Sequence, residues 1–391
     1  MSARHTLLEL LDAALRAVDG RAAVAAALPR DARHSHVFAV GKAASSMALG
    51  ARAVLGGAVE TLLITKDGHV APELRNSPGV TVLESAHPMP DARSLAAGEE
   101  LARRLQALPA DASPLFLVSG GSSSLVEALR GGVSLEDLRA LNELGLGAGW
   151  DIARLNAQRA RLSRLKGGGV ARLLGARRAR ALFISDVPGD DADLIGSGLL
   201  GRHQGQVDGI ERRVVANVER AVQAAVDAGA ARGLALETGA RRFDGDAAEV
   251  AAHFLDTLRA TRADGVVWGG ESTVRLPASP GRGGRNTHLA LVLARSMRAA
   301  EPLTVLAAGT DGTDGPTDDA GAIVDAGSVE RAELGGCDVE RAFAAFDSGT
   351  ALEAAGDLVH TGPTGTNVGD ILIGVKQTAM SLRGLVPPRV L

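Results

Sequence analysis

Five glycine-rich segments carry side chains able to hold an anionic group: AVGKAA, VSGGSSS, WGGEST, PGRGGRN and HTGPTGTN. Glycine lets the backbone approach a ligand, and free N–H groups at a helix N-terminus attract anions. In the first segment Lys42 follows Gly41 just where a helix is expected to begin. A cation there opposes the helix dipole unless an anion lies between them. Lys42 is therefore a candidate phosphate ligand, with a solvated lysine as the alternative. The spacing G-x-x-x-x-G-K-[ST] is absent, so this is not a Walker P-loop. Ser119, Gly120, Gly121 and Ser122 offer backbone N–H groups and hydroxyls to a phosphate or carboxylate, whereas a plain turn needs one capping serine. Arg282 and Arg285 flank two glycines before Asn286 and another expected helix, and arginine grips phosphate or carboxylate bidentately. Glu271 follows a glycine pair and suits a hydroxyl or a cation. Lys166 in KGGG, with Thr364, Thr366 and Asn367 in HTGPTGTN, completes the expected substrate and phosphate ligands.

Two loops are acidic instead. One holds Asp186 and Asp190 in SDVPGDD, the other Asp311 and Asp314 in TDGTDG. Carboxylates beside phosphate-binding loops suit Mg²⁺, a hard ion that takes few protein ligands and keeps its waters. One of them could accept a proton from a substrate hydroxyl. Ordinary Asp-Gly turns are the competing explanation. TDGTDG is not an EF-hand, because no glutamate closes the loop at the required place. His87, in SAHPMPD, follows an expected strand and is stiffened by Pro88 and Pro90.

These loops need elements to position them. Helix is expected over 6–28, strand over 36–41, and helix after Lys42. Strands running into loops follow over 59–68, 80–91 (a strand and a Pro-rich turn), 113–124 (into the Gly/Ser loop) and 179–191 (into the acidic loop), with helices between. Such alternation implies parallel pairing through right-handed crossovers. Residues 134–174 read as helix broken at KGGG, and 211–232 as one amphipathic helix. The stretch 234–246 reads as the passage between two domains, 1–235 and 236–391. After it come a helix over 247–262, a strand running into the WGGEST loop, a helix after GRGGRN, a strand before TDGTDG, and a terminal strand. The glycine-rich loops are expected to build one anion site between the two domains.

Composition narrows the classes of function. The chain has 391 residues, 46% hydrophobic and 2% aromatic, with a formal net charge of −4. That length calls for more than one core. No basic block points to nucleic acid, and too few aromatics are present for base stacking. No apolar stretch is long enough to span a bilayer, and the N-terminus lacks a signal-peptide pattern. The single cysteine, Cys337, fits a reducing compartment, so a cytoplasmic location is expected. No interface signature is present, so self-association into a homo-oligomer stays open.

In their order, the loops resemble the class II glycerate kinases, a family whose members also carry hydroxypyruvate reductase labels. The matching stretches are AVGKAASSMA, SAHPMPDARS, LVSGGSSSL, LSRLKGGGVA, ISDVPGDD, WGGESTV, GRGGRN, AGTDGTDGPTDDAGA and TGPTGTNVGD, from about residue 36 to 374. The resemblance implies a Rossmann-like three-layer α/β/α N-terminal domain with a parallel sheet and a smaller C-terminal α/β domain, with the active site in the cleft. It implies ATP-dependent phosphorylation of D-glycerate to 2-phosphoglycerate with a divalent cation such as Mg²⁺. Lys42 would be the active-site lysine, and the Ser119–Ser122 loop would hold an anionic group. Asp186 and Asp190 would lie near the metal and the substrate hydroxyl. Arg282 and Arg285 would bind phosphate or carboxylate, and Asp311 and Asp314 would face the cleft. The chain departs from the family pattern at Leu199, where a proline is usual. It departs at Thr287-His288, where the family has Gln-Glu, at Arg154 in place of an acid, and at Arg161 in place of a histidine. These changes bear on the acceptor. A nicotinamide-dependent reductase would need G-x-G-x-x-G after the first strand, which AVGKAASS does not supply. A relative that binds nucleotide or sugar acid without turnover is the other alternative.

Overall fold

The computed structural model describes residues 2–147, 150, 152–202 and 209–377. Two compact units emerge. One comprises residues 18–217 and 365–368, the other residues 2–17, 218–364 and 369–377. The helix expected over 6–28 is two helices, α1 (Ala3–Ala17) and α2 (Gly20–Ala27). Asp19 starts the second by accepting the Ala22 N–H at 2.8 Å. This aspartate cap breaks the run where periodicity alone reads through.

The first unit holds a six-stranded sheet, all parallel. Its strands are β1 (His36–Val40), β2 (Glu60–Lys66), β3 (Val80–Ser85), β4 (Leu115–Val118), β5 (Ala179–Ile184) and β6 (Ile210–Ala216). Their order is β3-β2-β1-β4-β5-β6, the doubly wound arrangement expected. The runs HVFAV and LFLV are almost wholly buried, because central parallel strands are covered on both faces. The helices are α2, α3 (Ala44–Leu55), α4 (Ala92–Ala107), α5 (Ser122–Leu125), α6 (Leu135–Gly147), α7 (Ile152–Leu162) and α8 (Gly169–Leu174). Phe38, Phe116, Phe183, Leu101 and Leu105 form the core between sheet and helices.

The helix expected over 211–232 begins later than read. Residues 210–216 are the edge strand β6, and α9 (Val218–Ala231) starts only after Asn217. An edge strand tolerates Glu211 and Arg213 on its open face, so its charges mimic the polar stripe of a helix.

The second unit is built on a mixed sheet. Its strands are β7 (Leu236–Thr238), β8 (Phe243–Asp246), β9 (Gly265–Thr273), β10 (Leu303–Gly309), β11 (Gly321–Asp325), β12 (Leu358–Val359) and β13 (Asp370–Lys376). The order is β12-β11-β10-β13-β9-β7, with β8 also paired to β9. β13 runs antiparallel to both β9 and β10. The helices are α1, α9, α10 (Ala247–Ala260), α11 (Arg285–Ser296), α12 (Ser328–Leu334), α13 (Val339–Ala344) and α14 (Ser348–Ala355). α11 is buried almost throughout and packs with Phe254, Leu255 and Trp268.

The division read at residue 235 is therefore displaced. The units part between Asn217 and Val218, α1 belongs with α9, and 365–368 rejoin the parallel-sheet unit. The supposed passage at 234–246 supplies β7 and β8, which pair one after the other with successive stretches of β9. WGGEST is likewise not a strand followed by a loop. β9 runs through it to Thr273. Its glycines serve packing, since a β-carbon at Gly269 would strike Val218 and one at Gly270 would strike Phe243.

Candidate active site

In the parallel-sheet unit the strand order reverses between β1 and β4. Open α/β sheets bind ligands at the carboxyl ends of the strands at such a reversal. Gly41 leaves β1 there and Ser119 leaves β4. The two turns are tied together: the Lys42 N–H donates to the Gly120 carbonyl at 3.0 Å, and the Ala43 N–H donates to Ser119 Oγ at 3.0 Å.

Two glycines lie at the centre of this arrangement. A β-carbon at Gly120 would collide with the Asp186 carboxylate and the Asn367 amide. Those two groups are themselves bonded, Asn367 Nδ2 donating to Asp186 Oδ2 at 3.2 Å. Gly121 has φ +83°, a left-handed conformation that glycine adopts without strain. A β-carbon there would sit 3.0 Å from Lys42 Cγ and 3.2 Å from His87 Cδ2. Lys42, His87, Asp186 and Asn367 thus converge on a stretch of backbone that carries no side chain. Asp190 lies on the same acidic loop, and Asn217 Nδ2 donates to its Oδ2 at 2.5 Å.

Other expected ligands in this unit are buried. The Ser119 hydroxyl, fully buried, is the acceptor for Ala43. Ser122 Oγ is buried against Gly196, and Thr366 is buried as well. Lys166 is 1% exposed and donates to Glu127, which is fully buried. Ser163 Oγ and the Ala128 N–H also donate to that carboxylate. Burial lowers the Lys166 pKa, while the charge of Glu127 raises it. Of the departures, Leu199 is a core residue, Arg154 stacks over Trp150, and Arg161 is exposed.

The second unit gathers a different set at one edge of its sheet. Asp370 opens β13 opposite Gly270 of β9 and Gly309 of β10. Arg285 Nη1 donates to Glu271, and its Nη2 lies 3.3 Å from Asp370 Oδ2. Asn286 Nδ2 donates to Asp370 Oδ1 at 3.0 Å. Asp314 caps α11: its carboxylate accepts from the Asn286 N–H at 2.9 Å, the Thr287 N–H at 2.7 Å and Thr287 Oγ1 at 2.8 Å. Asp311 Oδ1 accepts the Thr313 N–H at 3.0 Å, and Thr364 Oγ1 donates to the Thr310 carbonyl. Arg282 stands apart from Arg285. It donates to both oxygens of Asp319 at 3.1 Å and to Glu353 at 2.7 Å. His288 stacks on Phe343 and Phe346. Among the described residues, no three His, Cys, Asp or Glu side chains are grouped to hold a metal.

Two of these carboxylates give direct expectations. Truncating Asp314 to alanine strands two buried backbone donors and removes the cap. That costs about 2–4 kcal/mol from cap and desolvation terms together, read as a lower denaturant midpoint. Burial pushes the Asp370 pKa up to about 6 from 3.8, with Arg285 opposing the rise. The native carboxyl then keeps its proton over a range where the unfolded one has lost it. The native state binds more protons there, so stability falls as pH rises from about 4 to about 6. Asp370→Asn should flatten this fall, measured as urea midpoints across that range.

Sequence reasoning missed Asp370, Glu127 and Asp319. Asp370 closes the TGPTGTNVGD stretch, and its position just before an apolar run marked the mouth of a strand. Asp319 lies within the AGTDGTDGPTDDAGA stretch, and Glu127 carries no comparable signal.

The chain matches two family models, a domain of unknown function called DUF4147 over residues 6–227 and the MOFRL family over 265–370. It is 31% identical to a D-glycerate 2-kinase of Thermotoga maritima, over 96% of this chain and 98% of that one. It is 37% identical to an Agrobacterium vitis protein named provisionally as a hydroxypyruvate reductase, over 95% of this chain and 94% of that one. A solved glycerate kinase structure from T. maritima is similar with a TM-score of 0.80 and 31% identity, covering 95% of this chain and 99% of that one.

Proposed function

The chain belongs to the class II glycerate kinase family, and from that premise we propose that it phosphorylates the 2-hydroxyl of D-glycerate, with ATP as donor. The observation that carries this reading is the convergence of Lys42, Asp186 and Asn367 on Gly120 and Gly121 at the reversal of the parallel sheet. Phosphoryl transfer needs positioning and charge stabilisation above all. The bare backbone of Gly120 and Gly121 lets Asp186, Asn367, Lys42 and His87 close in around one point. Lys42 offsets negative charge on the transferred phosphoryl group. Asp186, held by Asn367, accepts the proton of the attacking hydroxyl. Arg285, with Glu271 and Asp370 fixing its orientation, binds an anionic group in the second unit.

Asp186 and Asp190 offer the hard oxygens that Mg²⁺ prefers. Mg²⁺ takes few protein carboxylates and keeps waters and substrate phosphates as its other ligands. When bound, Mg²⁺ neutralises charge on the phosphates. Asp186 and Asp190 are the residues that would hold it.

ADP release with ATP and Mg²⁺, followed against a panel of small hydroxy acids, tests the reading. Release that depends on D-glycerate supports it. NADH oxidation by hydroxypyruvate without any ADP release favours the reductase name carried by the Agrobacterium relative.

A further inference from the structure

A cavity of about 240 Å³ lies beside Gly121 in the parallel-sheet unit, with His87, Ser123, Ser124, Asn142, Arg159 and Lys166 in its wall. Its cations outnumber its anions. Lys166 is neutralised by Glu127, behind the wall. Arg159, from α7, brings a second positive charge. Among the described residues its hydrogen-bond partners are neutral: Nε donates to Asn142 Oδ1 at 2.8 Å and Nη1 faces Asn156 Oδ1 at 3.4 Å. Asn156 is fixed from its other side. Ser197 Oγ donates to it at 2.8 Å, and Ser197 in turn is 2.6 Å from Ser123 Oγ. The guanidinium is therefore oriented without being neutralised. The single carboxylate of Glu127 cannot neutralise both cations. Burial lowers the Arg159 pKa, but arginine keeps its charge in proteins. Half-buried in the cavity wall, this charge is placed for an anionic ligand to complete.

We propose that Arg159 binds the carboxylate of the acceptor hydroxy acid, which makes it the residue that selects acids over uncharged alcohols. This rests on the kinase reading of the same site. Arg159 shares the cavity wall with His87 and Gly121, and Lys42 lies against Gly121. An acid anchored at Arg159 extends its hydroxyl toward the group that handles the phosphoryl charge. Size sets the second limit. At roughly 30 Å³ per water-sized group, the space takes about eight such groups. A three-carbon hydroxy acid fits that space. Lys166, expected from sequence to bind substrate, acts by holding Glu127 instead.

The test compares D-glycerate with its uncharged amide, glyceramide, as acceptors for wild type, Arg159→Gln and Arg159→Lys. Wild type should prefer the acid by at least about 100-fold in kcat/KM, since a site built for a charged partner rejects its neutral analogue. Arg159→Gln should erase most of that preference through a higher KM for the acid, and Arg159→Lys should keep part of it. Equal losses for acid and amide, with the ratio unchanged, would mean that Arg159 only braces α7, and would overturn the proposal. Calorimetric titration of D-glycerate without nucleotide separates this from the kinase reading. Wild type that binds the acid, with binding lost in Arg159→Gln, but shows no ADP release supports the anchor and refutes the kinase. ADP release with D-glycerate and unchanged binding in Arg159→Gln supports the kinase and refutes the anchor. Wild type that neither binds nor turns over the acid refutes both.

Discussion

Lys42→Ala lowers kcat by about a thousandfold or more and leaves the unfolding midpoint almost unchanged. A preorganised charge aimed at a transferred phosphoryl group is worth roughly 10²–10⁵ in rate. The fold draws on the backbone of Lys42, whose N–H bonds Gly120, and alanine preserves that bond. Lys42 lies in the turn before α3 and outside the apolar core. Rate and stability should therefore separate cleanly. Activity within a few-fold of wild type would exclude a phosphate-binding role. A large loss of stability would mean the side chain is structural.

Glu127→Ala produces the opposite pattern. Removing one partner of a buried ion pair leaves the other charged and alone, at a cost of about 3–5 kcal/mol. Here Lys166 would be stranded at 1% exposure, and the Ser163 hydroxyl and the Ala128 N–H would lose their acceptor. Replacing both charges by apolar groups of similar size, Glu127→Leu with Lys166→Met, should recover much of that loss, because a well-packed pair often equals a buried ion pair. Urea denaturation of both variants checks this. A single variant as stable as wild type would mean that the pair is hydrated and not sealed.

Legibility in the sequence followed burial. Central strands such as β1 and β4 are covered on both faces and read as plain apolar runs, so Gly41-Lys42 and Ser119–Ser122 could be placed at strand ends before any coordinates. β6 escaped because an edge strand carries charges on its open face. β7 and β8 escaped because three- and four-residue strands with few apolar positions resemble a linker. Residue type suggested the anion-binding candidates but not their partners. Arg282 and Arg285 stand three residues apart. Only the coordinates separate the one held by Asp319 and Glu353 from the one held by Glu271 and Asp370. Asp314 looked like a metal ligand because Asp-Gly loops serve both metals and helix caps. The donors from α11 show that its carboxylate serves as a cap. Arg159 is one of three arginines on α7, and only the structure sets it in the wall of the cavity beside Gly121.

The most direct measurement is to couple the reaction to enolase alone, with no phosphoglycerate mutase present. Enolase accepts 2-phosphoglycerate and not the 3-phospho isomer. With ATP, Mg²⁺ and D-glycerate, the account predicts immediate phosphoenolpyruvate formation that keeps pace with ADP release and is absent in Lys42→Ala. ADP release without phosphoenolpyruvate until mutase is added would place the phosphoryl group on the other hydroxyl and contradict the account. The absence of both products would contradict it more deeply, since D-glycerate would then not be phosphorylated at all.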